Sequence, residues 1–201
     1  RLSITGVDVH LNSRQTVSSL MSGGFDEVVL ATGVHPRDID LPSTVEGCVV
    51  SYKDVLEQRV EVGQRVAIIG AGGIGFDMGE FLSHATTDIL SVENYLKAWG
   101  IDPAHQERGG LATVIPEIPQ SGREITLMQR SDGKLGANLG KTTGWIHRTT
   151  LKQRSVRMRS NLKYLHVDDA GLHVEDKASG KVDVIPVDHV IVCAGQTPNR
   201  D

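Results

Sequence analysis

Short runs of consecutive hydrophobic residues recur along the chain and predict strands that are covered on both faces. They occupy residues 27–31, 66–69 and 190–194. A segment with helical spacing of its hydrophobic residues, 74–82, directly follows the second run. Because buried strands that alternate with helices are typical of a parallel sheet, this pattern predicts an α/β fold.

Alternation of polar and hydrophobic residues predicts strands of another kind, with one face in the core and the other in solvent. Residues 7–11 and 124–130 follow this alternation. Beyond residue 155 the same signal recurs between turn residues. It predicts strands at 156–159 and 162–167, and an antiparallel ribbon in which residues 172–176 pair with residues 182–187.

Helical spacing occurs in three further segments. Residues 51–59 predict a short helix with Ser51 as its N-cap. Residues 89–99 predict a helix that Gly100 ends. A third helix, running to about residue 154, is predicted to bury one stripe formed by Trp145, Ile146, Thr149 and Leu151.

A glycine-rich sequence, Gly-Ala-Gly-Gly-Ile-Gly, joins the run at 66–69 to the helix that follows. In this strand–turn–helix context such a sequence binds the pyrophosphate of a dinucleotide. Gly70 permits the tight turn, Gly72 lets the backbone approach the phosphates, and Gly75 lets the helix pack on the strand. The alternative is a turn with a structural role only. The predicted cofactor contacts are Gly70, Ala71, Gly72, Gly73, Ile74, Gly75 and Asp77.

The side chain that ends the next strand of such a unit selects between the two nicotinamide cofactors. Glu93 lies at the expected distance and would bind the ribose of NAD, but the residues around it have helical spacing. Arg130 ends the strand at 124–130 and suits the 2′-phosphate of NADPH, with residues 86–123 as an insertion. We therefore predict NADPH, with Arg130 as an ordinary surface arginine as the alternative. The contacts predicted here are Gln129, Arg130, Ser131 and Lys134, and Lys141 is a further cation near them.

Composition and charge argue against several classes of function. The net charge of −4 and the lack of a basic block argue against nucleic acid and against an anionic membrane surface. No apolar run approaches the roughly 20 residues of a membrane span. Cys48 and Cys193 form no C-x-x-C motif, which favours a cytoplasmic protein with reduced thiols. The eight histidines show no metal-ligand spacing, and no catalytic motif is present, so we predict neither a metal site nor a catalytic residue.

Two similar segments flank the glycine unit, Ala-Thr-Gly-Val-His-Pro-Arg at 31–37 and Cys-Ala-Gly-Gln-Thr-Pro-Asn-Arg at 193–200. This arrangement resembles flavoprotein reductases in which a Rossmann-like NAD(P)H domain is inserted into an FAD domain. With the segments at 70–77, 99–102 and 139–151, the whole chain resembles the bacterial NADPH-dependent 2,4-dienoyl-CoA reductases. The run Gly-Lys-Thr-Thr-Gly-Trp-Ile-His-Arg-Thr-Thr-Leu is the most specific part of the match.

The resemblance implies a domain order. Residues 1–60 would belong to a partial FAD-binding domain and a connector, residues 61–187 to the NADPH-binding domain, and residues 188–201 to the return strand of the FAD-binding domain. The nicotinamide would reach toward Ala194, Gly195 and Gln196. FAD would contact Ala31, Thr32 and Gly33, with its adenine near residues 12–15.

The resemblance also implies partners outside the chain. In the family an FMN-carrying barrel, a 4Fe-4S cluster and the first half of the FAD domain belong to the same polypeptide. We therefore expect a segment of a longer enzyme that binds NADPH and passes hydride to FAD, does not reduce dienoyl-CoA alone, and loses FAD when isolated. One alternative is the matching domain of a trimethylamine or histamine dehydrogenase, with the second site used for ADP or left empty. The other is a non-catalytic nucleotide-binding module.

Overall fold

The computed structural model describes residues 2–84, 91–104, 106 and 115–200. Within them the chain forms the mixed α/β fold that its sequence predicts, with one parallel and two smaller sheets. The strands are β1 (Val34–Pro36), β2 (Val49–Ser51), β3 (Arg65–Ile69), β4 (Glu124–Met128), β5 (Arg157–Arg159), β6 (Leu162–Asp168), β7 (Gly171–Asp176), β8 (Val182–Ile185), β9 (His189–Val192) and β10 (Gln196–Pro198). The helices are a 3-10 helix (Leu2–Thr5), α1 (Val17–Ser22), α2 (Tyr52–Leu56), α3 (Gly73–Ser83), α4 (Val92–Trp99) and α5 (Gly144–Gln153). None of the helices in the described part of the chain is long and apolar enough to cross a membrane.

The chain divides into two compact units. One contains Arg1–Gly33 with Pro198–Asp201, and the other contains Val34–Thr197. In the first unit, Thr16 caps α1 by accepting a hydrogen bond from the amide of Ser19. The domain boundaries at residues 60 and 187, which follow from the family resemblance, stay predictions.

The parallel sheet has the strand order β2-β9-β3-β4-β5. Ile69 at the end of β3 lies in register with Met128 of β4 and with Val192 of β9. The carboxyl ends of three adjacent strands therefore meet at one edge. In open α/β sheets this is the edge where ligands bind.

Both faces of the sheet are covered, which explains the continuous apolar run in β3. Val66 and Ile68 face one hydrophobic cluster with Phe76 and Leu82 of α3. Ala67 and Ile69 face a second cluster, to which the antiparallel sheet β6-β7-β8 contributes Leu162, Val167, Leu172, Val174 and Ile185. Alternate residues of β3 thus pack against helices on one side and against the ribbon on the other.

Two predicted strands of the first unit are wrong. Residues 7–11 and 27–31 form no strand in the structure, and Val29 and Leu30 are 85% and 80% exposed. An apolar run adopts strand structure only when its backbone N–H and C=O groups find a partner strand. Within the described residues no strand pairs with either segment.

The predicted buried stripe of α5 is also wrong, although the helix itself is confirmed. Leu151 is fully buried against Gly79 of α3, whereas Trp145 is 60% exposed and Thr149 is exposed. The helix packs through Gly144 and Leu151, with Ile146 on the open side. Periodicity identified the helix, but it could not identify which side meets the sheet.

The segment that ends at Gly100 is helical, as predicted. Ser91 caps α4, and Gly100 ends it in the left-handed conformation with φ of 62°. Glu93 lies on this helix and pairs with Lys97 at 2.7 Å, one turn further on. Glu93 therefore does not end a strand of the sheet. The other residues of the competing segment, 88–90, lie outside the described part of the chain.

Asp188 joins the amino ends of two neighbouring strands, because it accepts hydrogen bonds from the amides of Gln64 and Arg65 at 2.9 and 2.7 Å. The side chain of Arg65 donates to the same carboxylate, and these hydrogen bonds lower its pKa to about 2.

We expect Asp188→Ala to lower the free energy of unfolding by about 1–2 kcal/mol at pH 7, since the charged hydrogen bonds are lost from a partly exposed site. The folded pKa lies below the unfolded value, so this contribution is present above about pH 4 and disappears as the pH falls toward 2. Urea unfolding of wild type and variant at pH 7 and pH 3 measures both effects. Asp169→Ala, in the exposed turn after β6, is the control, and an equal loss in the two variants would refute this role.

Candidate functional site

The turn after β3 adopts a conformation that favours glycine. Gly70 has φ of 111°, and its amide donates a hydrogen bond to the carbonyl oxygen of Met128 at 2.9 Å. A Cβ at this position would lie 2.7 Å from the carbonyl oxygen of Cys193. Gly70 thus lets three neighbouring strand ends approach one another closely.

The other two glycines of the motif have opposite surroundings. Gly75 is buried in the first turn of α3, where a Cβ would overlap the carbonyl oxygen of Gly70. Gly72 is the exposed N-cap of α3, where a Cβ would have no chain atom within 4 Å. No side chain caps the helix, so its first amides and the positive end of its dipole are open to an anion.

A cleft of about 540 Å³ lies at the carboxyl edge of the parallel sheet. Six of the predicted contact residues line it, and they come from the ends of β3, β4 and β9. These are Gly70, Gln129, Arg130, Ser131, Ala194 and Gly195, and they are joined by Arg37, Ile69, Tyr164 and Lys177. The fold therefore brings together residues that are more than 100 positions apart in the sequence.

Arg130 is one of three exposed cations that line this cleft, with Arg37 and Lys177. Within the described residues no carboxylate pairs with its guanidinium, which leaves the charge available for a ligand. The neighbouring Gln129 donates its side-chain amide to the carbonyl oxygens of Ser131, Asp132 and Gly133 at 3.3–3.4 Å. Gln129 thus organises the loop that carries Arg130, and Lys177 fixes the same loop by donating to the carbonyl oxygen of Arg130.

Arg37 holds the segment on the other side of the cleft. Its amide donates to the carbonyl oxygen of Gly195 at 3.2 Å, and its guanidinium donates to that of Gln196 at 3.3 Å. The side chain of Gln196 donates to the hydroxyl of Tyr52 at 3.2 Å. These contacts give the segment after β9 a defined position beside Gly70.

Tyr164 lines the cleft from β6, and its hydroxyl is buried without a hydrogen-bond partner in the described part of the chain. Burial raises the pKa of this hydroxyl, so it stays protonated and can donate. Sequence reasoning missed Arg37, Tyr164 and Lys177 as cleft residues. Each lies on a segment whose pattern indicates only strand or loop, and the packing of the ribbon on the sheet places them here.

The other predicted dinucleotide contacts do not line this cleft. Residues 71–75 form the adjoining turn and the start of α3, and Gln196 follows Gly195 in the chain. The remaining three predicted residues lie further away in the sequence or on other surfaces. Lys134 lines a separate groove of about 530 Å³ with Trp145, Arg148 and Lys152. Asp77 is exposed on α3, and Lys141 is exposed before α5. Arg130 is therefore the only one of the predicted cationic contacts that lines the cleft.

In the first unit, the predicted FAD contacts Ala31, Thr32 and Gly33 line a hollow of about 960 Å³. Residues 13–17 and Asn199 line the same hollow. Thr32 donates its hydroxyl to the carbonyl oxygen of Asn199 at 2.6 Å, and the amide of Asn199 donates to Gly33 at 3.0 Å. Residues 13–15 and residues 31–33, which the resemblance assigns to one cofactor, thus line one hollow.

Both thiols are buried and free. Burial raises the pKa of Cys193 to about 12 and also raises that of Cys48. At neutral pH each is a protonated thiol, which is a poor nucleophile. They act as small core residues, and neither supplies thiolate chemistry to the cleft.

Comparison with known proteins gives a family match and several relatives. The chain matches the pyridine nucleotide-disulphide oxidoreductase family over residues 4–201. A metal reductase of Desulforamulus reducens is 28% identical over 200 residues, which are 98% of this chain and 28% of that protein. A cinnamate reductase of Clostridium sporogenes is 38% identical over 90 residues, which are 44% of this chain and 13% of the relative. The matched residues therefore span 28% of the first relative's length and 13% of the second's.

Solved structures share the fold. A 2-naphthoyl-CoA reductase, in complex with 2-naphthoyl-CoA, superposes with a TM-score of 0.62 at 19% identity over 97% of this chain and 24% of its own. Histamine dehydrogenase from Rhizobium sp. 4-9 superposes with a TM-score of 0.62 at 17% identity over 96% and 26%. At these identities the likeness concerns the fold alone.

Proposed function

Because the chain belongs to the pyridine nucleotide-disulphide oxidoreductase family, we propose that its cleft at the end of β3 binds NADPH as the electron donor of a larger flavoenzyme. The observation that carries the proposal is the position of Arg130, an unpaired cation at the end of β4, beside the glycine turn. The family binds FAD and a nicotinamide dinucleotide, whereas the choice of NADPH rests on the residues of this chain.

The glycine turn fits a pyrophosphate in two respects. The open side of Gly72 leaves room for phosphate oxygens against the backbone, and the uncapped start of α3 offers amides to them. Because Gly75 has no side chain to overlap the carbonyl oxygen of Gly70, α3 can begin close to the end of β3. In this arrangement Gly70, Gly72 and Gly73 position the dinucleotide, and the buried side chains below them exclude water.

Discrimination against NADH follows from charge at the end of β4. A guanidinium can donate two hydrogen bonds to a 2′-phosphate, and it gains little from the neutral ribose hydroxyl of NADH. Glu93, the acidic residue that would favour NADH, lies on α4 and pairs with Lys97. The loop fixed by Gln129 and Lys177 holds Arg130 in place for this contact.

Ala194, Gly195 and Gln196 are the proposed neighbours of the nicotinamide, because Arg37 fixes them beside Gly70. NADPH supplies a hydride to FAD when both are bound. We assign FAD to Ala31, Thr32 and Gly33, whose hollow supplies part of its site. The rest of that site, with the FMN and 4Fe-4S centres, belongs to the remainder of the polypeptide.

The substrate class follows from the run at 139–151, which resembles 2,4-dienoyl-CoA reductases. We propose that the complete enzyme reduces an unsaturated acyl-CoA and that this chain supplies its electron entry site. Substrate reduction by the chain alone is not expected.

Calorimetric titration tests the proposed donor. The purified chain should bind NADPH at one site and should bind NADH about 10- to 150-fold more weakly, as one charge-assisted contact implies. NADP⁺ and NAD⁺ provide the same comparison without redox chemistry. Equal affinities for the phosphorylated and unphosphorylated forms would exclude the assignment of Arg130. Binding of ADP but of neither dinucleotide would favour the role that histamine dehydrogenase-like proteins suggest.

A further inference from the structure

Three potential metal ligands lie together on the ribbon, outside the cleft. His166 of β6 faces His173 of β7 across the antiparallel pair, and Asp168 follows His166 by two residues on the same face. Their ligand atoms all lie within 4.8 Å of one another. The sequence predicted no metal site because its histidines lack helical or zinc-finger spacing, whereas here a hairpin supplies the proximity.

The distances between these atoms fit the edges of a coordination polyhedron. Nε2 of His173 lies 2.9 Å from Oδ2 of Asp168, and Nε2 of His166 lies 3.6 Å from the same oxygen. Ligands at about 2.0–2.1 Å from one ion stand about 2.9 Å apart in an octahedron and about 3.3 Å apart in a tetrahedron. Both observed separations lie close to these values.

One ring nitrogen of the cluster is left unsatisfied. Nε2 of His173 is buried and lies 2.9 Å from Oδ2 of Asp168, but it has no hydrogen-bond partner in the described part of the chain. An ion bound to both atoms would satisfy this nitrogen.

The carboxylate and the rings are held in place before any ion binds. Oδ1 of Asp168 accepts a hydrogen bond from the amide of Ala170 at 2.9 Å, which leaves Oδ2 on the histidine side. The two imidazole rings stack with centroids 4.1 Å apart and planes within 17°.

We propose that His166, Asp168 and His173 form a site for a divalent transition-metal ion of the zinc class, which clamps β6 to β7. Two imidazoles and one carboxylate suit Zn²⁺ and its neighbours rather than Mg²⁺ or Ca²⁺, which prefer oxygen ligands. The side chains of His166 and Asp168 are 45% and 36% exposed, so solvent can complete the coordination of an ion bound there. The site is separate from the proposed dinucleotide cleft and does not depend on that function.

Calorimetric titration of the untagged chain with Zn²⁺ should give one ion per chain. His166→Asn, Asp168→Asn and His173→Asn should each weaken binding by at least about 10- to 100-fold, the loss that even outer residues of metal sites produce. His35→Asn, which replaces an exposed histidine of β1, should bind Zn²⁺ as the wild type does. Circular dichroism checks that each variant keeps its fold.

A measurement on the wild type keeps the test independent of the variants. In ¹⁵N NMR spectra of the histidine rings, one equivalent of Zn²⁺ should shift the ring nitrogens of His166 and His173 and leave those of His35 unchanged. Absence of stoichiometric binding, or ring shifts confined to other histidines, would overturn the proposal. Unchanged affinity in the three variants would overturn it as well.

Discussion

Replacement of Gly75 by alanine is expected to lower the free energy of unfolding by at least about 2–3 kcal/mol. The added Cβ would overlap the carbonyl oxygen of Gly70, a backbone atom that no side-chain rotation can move away. To avoid this overlap, α3 would have to shift away from β3, and the shift would loosen the hydrophobic cluster around Phe76 and Leu82. Urea denaturation, followed by circular dichroism, measures the loss.

Gly72→Ala is the matched variant, because it adds the same methyl group three residues earlier. Its Cβ meets no atom of the chain and its backbone is extended, so stability should change by no more than about 1 kcal/mol, the usual effect at an N-cap. Affinity for NADPH should nevertheless fall, since the methyl group stands where the proposed pyrophosphate meets the backbone. If the two variants lost equal stability, or if Gly72→Ala bound NADPH normally, the division of roles between the glycines would be wrong.

Arg130→Ala should weaken NADPH binding by about 1.5–3 kcal/mol, or roughly 10- to 150-fold, and should leave NADH affinity unchanged. The guanidinium is the group at the end of β4 that can meet a 2′-phosphate, and no described carboxylate competes for it. Because Arg130 is exposed, its removal should not affect folding. Parallel calorimetric titrations with both cofactors measure the difference.

Arg157→Ala supplies the control for a general loss of positive charge. Arg157 is also an exposed arginine, but it lies on β5 and pairs at 3.2 Å with Glu124, the first residue of β4. It therefore belongs to the opposite edge of the sheet. A similar loss of NADPH affinity in both variants would show a long-range charge effect and would remove the specific role of Arg130.

Local patterns predicted the elements that depend on neighbouring residues. The strand at Val66, the glycine turn and the start of α3 follow from consecutive residues, and the structure places them as predicted. The same holds for the ribbon after β5 and for the cap at Gly100. In each of these the turn chemistry and the hydrophobic period indicate the same structure.

The failures involve tertiary partners. The hydrophobic run at residues 27–31 predicts a buried strand. A strand requires a neighbouring strand, and none pairs with these residues in the described chain. The hydrophobicity of Trp145 predicts a core residue, but the buried residues of α5 are Gly144 and Leu151, and Leu151 packs against α3. Periodicity predicts neither outcome, because it depends only on the residues of one segment and not on what packs against that segment.

The candidate site was predictable only in part, because some of its residues follow from local patterns and others from tertiary packing. Gly70 and Arg130 end predicted strands, and parallel strands place their ends together. Tyr164 and Lys177 enter the cleft only because the ribbon packs against the second face of the sheet. The register of β6 and β7 brings His166 opposite His173, and this pairing was not among the sequence-based predictions.

The central claim, that NADPH lies across the glycine turn with its 2′-phosphate at Arg130, is most directly tested by ¹H–¹⁵N NMR of the labelled chain. NADPH should shift the amides of Gly70, Gly72, Gly73 and Ile74 together with those of residues 129–131. NADH, at concentrations that saturate the site, should shift the glycine amides while it affects residues 129–131 less. Amide shifts that leave residues 70–75 unchanged and lie elsewhere on the chain would contradict the account.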